Sequence, residues 1–432
     1  LAIGGNLDVG NGTTLTVAGF TIGVTRSTTV KGTLTHNNAT GTKTYTGAVT
    51  INNGGVFSET AAAQLAFGGN VTISNGATLT EFGAAVVGVA GNFRNDGTYT
   101  ASTGVHTFSG AGRTLSGTAG IAIPSVTVSG TCTNDGTLSV MTALAGAGGL
   151  TQAVNSVLGI GGTSAITSLS ATNNPNTVNY TGAVQTVKAT AYHHLTFGGS
   201  GTKTLTGLTT VNGDLTLNGT AKATTAANLA IGGTLDVGAG TALTNGAFRI
   251  TVTGAATVNG TLAHNSATGL KIYAGAVTIN NGGVFSETAA APLTFGGDVT
   301  INNGGTLTEF GAAVVTNAGS LRNDGIYTAS TGIHTFSGAA KTLSGANAIA
   351  IPNLVTGRIA ANEASAIAGL KMLVSQNAIW RQTDVDGNGI KDFWNRDVSS
   401  FHRFLRADGT TKVAFVDVSF AKADIDAFSR AV

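Results

Sequence analysis

The sequence predicts an all-β fold, a β-solenoid (β-helix) of about 17 coils of 20–22 residues, followed by a small α+β domain. Three observations support this prediction. Residues 2–124 and 230–352 are identical at 90 of 123 positions when they are aligned without a gap. A shorter unit recurs inside each copy, and its turns are rich in Asn and Gly. Only 10% of the 432 residues are charged while 42% are hydrophobic, so the chain can bury a long core.

The shorter unit is marked by an Asn four residues before a large apolar residue. These pairs are Asn53/Phe57, Asn75/Leu79, Asn95/Tyr99 and Asn134/Leu138. The text between the turns alternates, as in VTINN and VTISN, which is the period of a strand. Asn-Gly and Asp-Gly are strong turn signals. We therefore expect coils of two or three short strands, stacked ~4.8 Å apart into a rod of roughly 80 Å, with inward apolar ladders and a ladder of turn asparagines.

Four segments follow from the repeat. Residues 1–124 form the first copy of the long repeat, 125–229 are intervening coils, 230–352 form the second copy, and 353–432 form a C-terminal α+β domain. The last segment holds 19 of the 42 charged side chains and both tryptophans. Within it, residues 362–382 show the apolar period of a helix, and Asn362 can cap its start.

An acidic loop follows this predicted helix. The stretch DVDGNGIKD places oxygen-bearing residues at positions 1, 3, 5 and 9 of an EF-hand-type loop, with Gly389 at position 6. We predict one structural Ca²⁺, bound by Asp384, Asp386, Asn388, the backbone carbonyl of Ile390, Asp392 and Asp397. Because Asn395 stands where an EF-hand has Glu, the loop resembles those of dockerins and thrombospondins. The alternative is an Asp/Gly-rich turn without metal.

Two glutamates per copy are candidates for chemistry. Glu59 and Glu81 lie 22 residues apart, each two positions after a core residue, and Glu287 and Glu309 repeat the arrangement. We expect them to stack at a corner of adjacent coils, with or without a bridging cation. The alternative is a retaining-glycosidase pair, about 5 Å apart, which would need a groove with Arg or Lys nearby. Since an identical duplicated site is unusual for an enzyme, we predict no catalysis.

The histidines and the single cysteine receive structural interpretations. We expect surface or corner positions, without a metal, for His36, His106, His193, His194, His264 and His334. Cys132 takes the place of Phe93 in its unit, so we predict a small core residue rather than a reactive thiol.

Thr-x-Thr triplets suggest another function. They are Thr33/Thr35, Thr78/Thr80, Thr98/Thr100 and Thr306/Thr308. Outward threonine ladders resemble those of β-helical antifreeze proteins, which implies ice binding. Val56/Ser58 and Val284/Ser286 interrupt the array, and threonine also favours exposed strand positions in general.

The repeat text resembles known secreted proteins. GNFRNDGTYTASTGVHTFSGAGRTLSG is similar to repeats of autotransporter-type adhesins and filamentous-haemagglutinin-like proteins, which implies export and a structural or adhesive role. The segment from NEASAI through TDVDGNGIKDFW to FHRFLRADGTTKVAFVDVSFAKAD resembles the globular part of bacterial pilin-like proteins. Pilins assemble through a hydrophobic N-terminal helix, and no such helix precedes this segment.

We therefore predict an extracellular structural protein, a subunit of a self-assembling filament or surface layer, secreted and adhesive. The alternatives are a carbohydrate-binding or carbohydrate-cleaving β-helix and an ice-binding protein. The expected partners are other copies of the chain, head to tail, and surface polysaccharide. The formal net charge of +2 offers no footprint for nucleic acid, and no apolar run reaches the ~18 residues of a spanning helix. Because Leu1 lies inside a coil pattern, we expect its exposed strand edge to dock onto the C-terminal region of another copy.

Overall fold

The computed structural model describes residues 1–352 continuously and nine positions beyond them: 371, 374, 375, 378, 382, 404, 405, 412 and 413. The chain forms two compact units, Leu1–Ile351 and Pro352–Val432. The first unit is a parallel β-solenoid of about 17 coils, which confirms the predicted fold class. In the second unit, all five described positions that fall within the predicted helix 362–382 are helical.

Nearly every coil contributes three short strands. From residue 1 to residue 116 these are β1 (Ala2–Ile3), β2 (Leu7–Val9), β3 (Thr14–Val17), β4 (Ile22–Val24), β5 (Thr28–Val30), β6 (Thr33–His36), β7 (Lys43–Tyr45), β8 (Val49–Ile51), β9 (Val56–Glu59), β10 (Leu65–Phe67), β11 (Val71–Ile73), β12 (Thr78–Thr80), β13 (Val87–Val89), β14 (Phe93–Asn95), β15 (Thr98–Thr100), β16 (Val105–Phe108) and β17 (Arg113–Ser116).

The middle of the rod contains three strands of eight or more residues among shorter ones. From residue 121 to residue 225 the strands are β18 (Ile121–Val128), β19 (Thr131–Asp135), β20 (Thr137–Gln152), β21 (Val157–Ile160), β22 (Thr163–Ser170), β23 (Thr177–Tyr180), β24 (Gln185–Thr186), β25 (His194–Phe197), β26 (Thr202–Leu205), β27 (Thr210–Val211), β28 (Leu215–Leu217) and β29 (Lys222–Thr225).

The second copy returns to short strands. They are β30 (Leu229–Ile231), β31 (Leu235–Val237), β32 (Ala242–Asn245), β33 (Ile250–Val252), β34 (Ala256–Val258), β35 (Thr261–His264), β36 (Lys271–Tyr273), β37 (Val277–Ile279), β38 (Val284–Glu287), β39 (Leu293–Phe295), β40 (Val299–Ile301), β41 (Thr306–Thr308), β42 (Val315–Asn317), β43 (Leu321–Asn323), β44 (Ile326–Thr328), β45 (His334–Phe336) and β46 (Leu343–Ser344). In the second unit, β47 (Phe404–Leu405) pairs antiparallel with β48 (Lys412–Val413).

The strands of the first copy stack into three faces, each a parallel sheet. Face A contains β1, β4, β7, β10, β13 and β16, face B contains β2, β5, β8, β11, β14 and β17, and face C contains β3, β6, β9, β12 and β15. On face C the predicted apolar ladder is present, because Phe57, Leu79 and Tyr99 are direct Cα partners in successive coils. A typical short strand, Val49–Ile51, buries its two ends and turns its middle residue outward, as period-2 alternation requires.

The Asn-Gly turns form where the sequence predicts them. Gly54 and its counterpart Gly282 have φ values of 77° and 76°, a left-handed conformation that glycine adopts without steric cost. The amide of Gly55 closes the turn on the carbonyl of Asn52 at 2.7 Å. The chain thus turns from face B to face C at the predicted dipeptide.

An amide ladder exists, but it differs from the predicted one. The side-chain amide of Asn280 donates to Asn259 at 2.8 Å, and that of Asn302 donates to Asn280 at 2.7 Å. This ladder uses the residue one position before the predicted turn asparagine. The first copy has Lys31 and Ser74 at two of the three equivalent positions, so only the second copy can build it.

The two copies of the long repeat do not occupy the same faces of the rod. Eleven coil-to-coil pairings lead along face B from Thr28 in β5 to Val252 in β33. Val252 is the counterpart of Val24, which lies on face A in β4. The 228-residue offset therefore spans eleven coils plus one face. Every surface of the first copy reappears in the second copy one face further round the rod.

Candidate functional site

The predicted calcium ligands lie outside the described residues. They are Asp384, Asp386, Asn388, Ile390, Asp392 and Asp397, and the calcium site stays a prediction. Across residues 1–352 and the nine further described positions, no group of three or more His, Cys, Asp or Glu side chains has an arrangement that could hold a metal ion.

Inside each copy, a buried carboxylate contacts a buried imidazole. Glu81 Oε2 lies 2.6 Å from His106 Nε2, and the two side chains are 0% and 1% exposed. The same oxygen accepts the backbone N–H of Ser102 at 2.9 Å, while Oε1 accepts the hydroxyl of Tyr99 at 3.1 Å. Nδ1 of His106 lies 3.2 Å from the carbonyl of Gly104. Both oxygens of Glu81 therefore have a hydrogen-bonding partner, although the side chain is fully removed from water.

The second copy repeats this cluster. Glu309 Oε2 lies 2.6 Å from His334 Nε2, the hydroxyl of Tyr327 donates to Oε1 at 3.0 Å, and the N–H of Ser330 donates to Oε2 at 2.9 Å. Burial lowers the pKa of His334, but its hydrogen bond to Glu309 and the charge of that carboxylate outweigh burial, so the net pKa is raised. Since a raised imidazole pKa favours the protonated form, the arrangement is that of a buried ion pair.

Glu59 is buried with fewer partners. It is 2% exposed and is the Cα partner of His36 in the preceding coil. Its Oε2 accepts the N–H of Phe82 at 3.4 Å, and its Oε1 has no hydrogen-bond partner. Burial raises the pKa of Glu59 to about 8, and burial together with the charge of Glu309 raises that of its counterpart Glu287 to about 7. Both carboxyls therefore hold a proton well above the ordinary carboxyl range.

A histidine and a tyrosine lie next to this glutamate. His36 Nε2 lies 2.7 Å from the hydroxyl of Tyr45, and the imidazole packs edge-on against Phe57 with ring centroids 5.0 Å apart. Burial, assisted by the charge of Lys43, lowers the pKa of His36 to about 3. The counterpart His264 has the same surroundings, and its pKa is also about 3. Both imidazoles are therefore neutral above acidic pH.

Buried lysines bond to turn carbonyls at the edge of these clusters. Nζ of Lys43 donates to the carbonyls of Phe20 at 2.8 Å and Thr40 at 2.9 Å, and Lys271 makes the equivalent bonds in the second copy. Both lysines are 0% exposed, and burial lowers the pKa of each ammonium. Each ammonium thus donates hydrogen bonds to turn carbonyls that would otherwise be buried without a donor. The sequence interpretation did not single out these lysines.

The predicted stacking of Glu59 and Glu81 in adjacent coils agrees with the register of β9 and β12, in which Ser58 is the Cα partner of Thr80. Both side chains are buried, so the alternative of an open groove is wrong. A surface position for His36 and His106 is also wrong, because both are buried. The alternation of the strand indicates this burial. Glu59 follows the core residue Phe57 by two positions, and residues two apart on a strand share a face.

The other histidines and the cysteine have distinct surroundings. His193 is 9% exposed, while His194 is partly exposed, with its Nδ1 lying 3.1 Å from a carboxylate oxygen of Asp214. Cys132 is buried at 3% exposure within the core, which confirms its predicted structural place, and burial raises the pKa of its thiol.

The predicted threonine array is real but short. On face C, the outward pairs of β6, β9, β12 and β15 are in register, with Val56 and Ser58 interrupting the threonines. The counterpart pair Thr306/Thr308 in β41 lies one face further round. A continuous threonine face along both copies is therefore absent from the described residues, because the copies are displaced by one face.

Each copy exposes an apolar corner next to its buried carboxylates. We define the first corner patch as Phe82, Val86 and Val105, which are 50%, 48% and 42% exposed. The second corner patch consists of Phe310, Val314 and Ile333, which are 49%, 47% and 64% exposed.

No family model, curated protein or solved structure matches the chain. Within the described part of the chain, no helix combines the length and apolar character that crossing a bilayer requires. The fold by itself defines the class: a parallel β-solenoid built from a duplicated block of coils.

Proposed function

We propose that this chain is a secreted, extracellular structural protein, a subunit of a self-assembling filament or surface layer with an adhesive role. The observation that most supports this proposal is the way in which the duplicated block of coils is folded. The same block of coils occurs twice along one rod, with its ionisable clusters inside and its outer surface repeated on two faces. Such a molecule presents the same contacts to more than one partner, as a scaffold does.

The chemistry of the interior supports the same proposal. The paired glutamates of each copy are 4% exposed or less, so a polysaccharide chain cannot reach them as a catalytic pair. Their hydrogen bonds instead join neighbouring coils, as between Glu81 and Ser102. These groups act on the stability of the rod and not on a substrate. The resemblance to exported adhesin repeats supports secretion.

Calcium is part of the proposal. We propose that residues 384–397 bind one structural Ca²⁺ in the C-terminal unit, because hard oxygen ligands at alternate loop positions suit this ion. Calorimetric titration of the full chain should show one site, and Asp384→Ala with Asp386→Ala should remove it. A site that survives both substitutions would contradict the assignment.

Electron microscopy tests the assembly. Negative-stain images of the full chain, recorded with calcium and then with a chelator, should show filaments or sheets, and filaments that lose order on chelation would support a role of the ion in assembly. Dispersed rods at every concentration and in both conditions would refute self-assembly. Such rods would be about 80 Å long, the length that 17 coils give at ~4.8 Å per coil.

A second candidate, carbohydrate binding, is favoured by one surface feature. A shallow groove near the start of the second copy is lined by Thr209, Asn228, Leu229, Ala230, Arg249 and Thr251. Hydroxyl, amide and guanidinium groups side by side can bind sugar hydroxyls or an acidic sugar. Binding of the chain to a glycan array should weaken in Arg249→Ala, while Arg113→Ala, which changes an exposed arginine elsewhere, serves as the control. Equal binding by both variants would exclude the groove.

A further inference from the structure

The groove at the start of the second copy is a hollow that crosses three successive coils. Its floor is the exposed Ala230, which is the Cα partner of Thr210 in one neighbouring coil and of Thr251 in the other. A small side chain between two larger ones leaves the hollow, whose volume is about 410 Å³. Ligand sites in proteins commonly measure about 300–1,000 Å³, so the groove has room for part of a sugar chain.

The guanidinium of Arg249 is oriented by two hydrogen bonds at the edge of this groove. The backbone N–H of Arg249 donates to Oδ1 of Asn228 at 2.9 Å, and its Nε donates to the hydroxyl of Thr251 at 3.1 Å. Because Nε is used by Thr251, the two terminal amino groups of the guanidinium remain as donors for a ligand. The first copy has Thr21 at the position of Arg249, so the coil itself does not require an arginine there.

The positive charge of Arg249 is not neutralised inside the groove. None of the side chains that line the groove is acidic. Within the described part of the chain Arg249 has no ion-pair partner, whereas Arg94 and Arg322 each lie against an aspartate, at 2.5 Å and 2.6 Å. An arginine without a partner is available to an anionic ligand, and its planar fork matches the geometry of a carboxylate.

The polar groups of the groove are mainly hydrogen-bond donors. The side-chain oxygen of Asn228 already accepts the N–H of Arg249, so its Nδ2 group is left to donate. The hydroxyl oxygen of Thr251 accepts Nε of Arg249, so its own proton is left to donate elsewhere. Arginine donates only, and an ionised carboxylate accepts only, whereas a hydroxyl does both. The groove therefore suits a carboxylate better than it suits the hydroxyls of a neutral sugar.

We propose that this groove binds an acidic polysaccharide through the carboxylate of one of its sugars. The carboxylate accepts from the terminal amino groups of Arg249, the apolar side of the sugar ring lies on Ala230, and Asn228 donates to a neighbouring oxygen. Hydrogen bonds between arginine and a carboxylate are charge-assisted and roughly twice as strong as neutral ones. This inference rests on the carbohydrate-binding candidate of the proposed function, because it names the class of sugar that the same groove takes.

Biolayer interferometry on the immobilised full chain tests the inference, in a buffer with a calcium chelator so that calcium cannot bridge protein and glycan. The probes are polygalacturonate, its fully methyl-esterified form, which has the same backbone without the charge, and dextran sulfate. Arg249→Ala removes the guanidinium, and Ala230→Leu fills the floor without changing the charge. Arg113→Ala and Ala122→Leu are the matched controls, because both residues are exposed in other coils. Circular dichroism melts confirm that each variant is folded.

The wild type and both controls should bind polygalacturonate and not its methyl ester. Arg249→Ala should weaken this binding about tenfold or more, as expected for the loss of one charge-assisted pair, and Ala230→Leu should weaken it as much by blocking the hollow. Polygalacturonate binding that survives both substitutions would overturn the assignment to this groove.

The other two probes test the carboxylate itself. Equal binding of the methyl ester would overturn the inference and leave carbohydrate binding intact. Dextran sulfate that binds as tightly, with the same dependence on Arg249, would overturn it in favour of a site for anions in general. A wild type that binds none of these probes and no sugar on a glycan array would instead refute the carbohydrate-binding candidate itself.

Discussion

Replacing Glu59 by glutamine should make the rod less sensitive to alkaline pH. The pKa of this carboxyl is about 8 in the folded chain, against an ordinary value of about 4.5. The folded chain therefore keeps a proton that the unfolded chain has already released. Where the folded state binds more protons, stability falls as pH rises. The contribution of Glu59 is fully present below its unfolded pKa and is lost as pH rises through its folded pKa.

The magnitude follows from the two pKa values. Between pH 5.5 and pH 8.0 the wild type should lose about 3 kcal/mol through Glu59, and about 2 kcal/mol through Glu287, whose folded pKa is about 7. His36 and His264, with folded pKa values of about 3, change in the opposite direction and regain about 1.4 kcal/mol each over the same interval. The net profile of the wild type is therefore shallow, and only the comparison with glutamine variants isolates the carboxyls.

Urea unfolding followed by circular dichroism provides the assay. The free energy of unfolding of Glu59→Gln relative to wild type should rise by about 3 kcal/mol from pH 5.5 to pH 8.0, and the double variant with Glu287→Gln should gain about 5 kcal/mol. Asp8→Asn is the control, because that side chain is 59% exposed. A constant difference between Glu59→Gln and wild type across this interval would refute the assignment of a protonated, buried carboxyl.

Three further substitutions test the interior, each by urea unfolding at pH 6.5. His334→Ala leaves the buried carboxylate of Glu309 without its 2.6 Å partner, so a loss of about 3–5 kcal/mol is expected; a loss below 1 kcal/mol would show that the pair is not charged. Lys43→Met removes the donor from two turn carbonyls and should cost about 1–3 kcal/mol, whereas the exposed Lys31→Met should be neutral. Phe57→Ala empties a fully buried place in the apolar ladder and should cost about 3–5 kcal/mol, and wild-type stability would contradict the packing.

Local patterns made most of the fold predictable. Strand alternation, the Asn-Gly turns and the recurrence of Phe57, Leu79 and Tyr99 are properties of neighbouring residues, so they indicate the coil and its stacking without any long-range information. The parity that places Phe57 inward also places Glu59 inward. An ionisable side chain is nevertheless ordinarily found in water, so the alternation alone does not establish its burial. The histidine and backbone partners that make burial of Glu81 tolerable come from another coil.

The sequence by itself determined that this chain is a solenoid of repeated coils, because each coil closes through its own turns and alternation. Only the tertiary structure decided which side chains meet inside. His106 follows Glu81 by 25 residues, and that contact depends on the register between coils. The structure also decided that the two copies face different sides of the rod. That displacement arises because the residues between the two copies do not make up a whole number of coils. It depends on the length of every coil through residues 125–229, which no local sequence pattern gives.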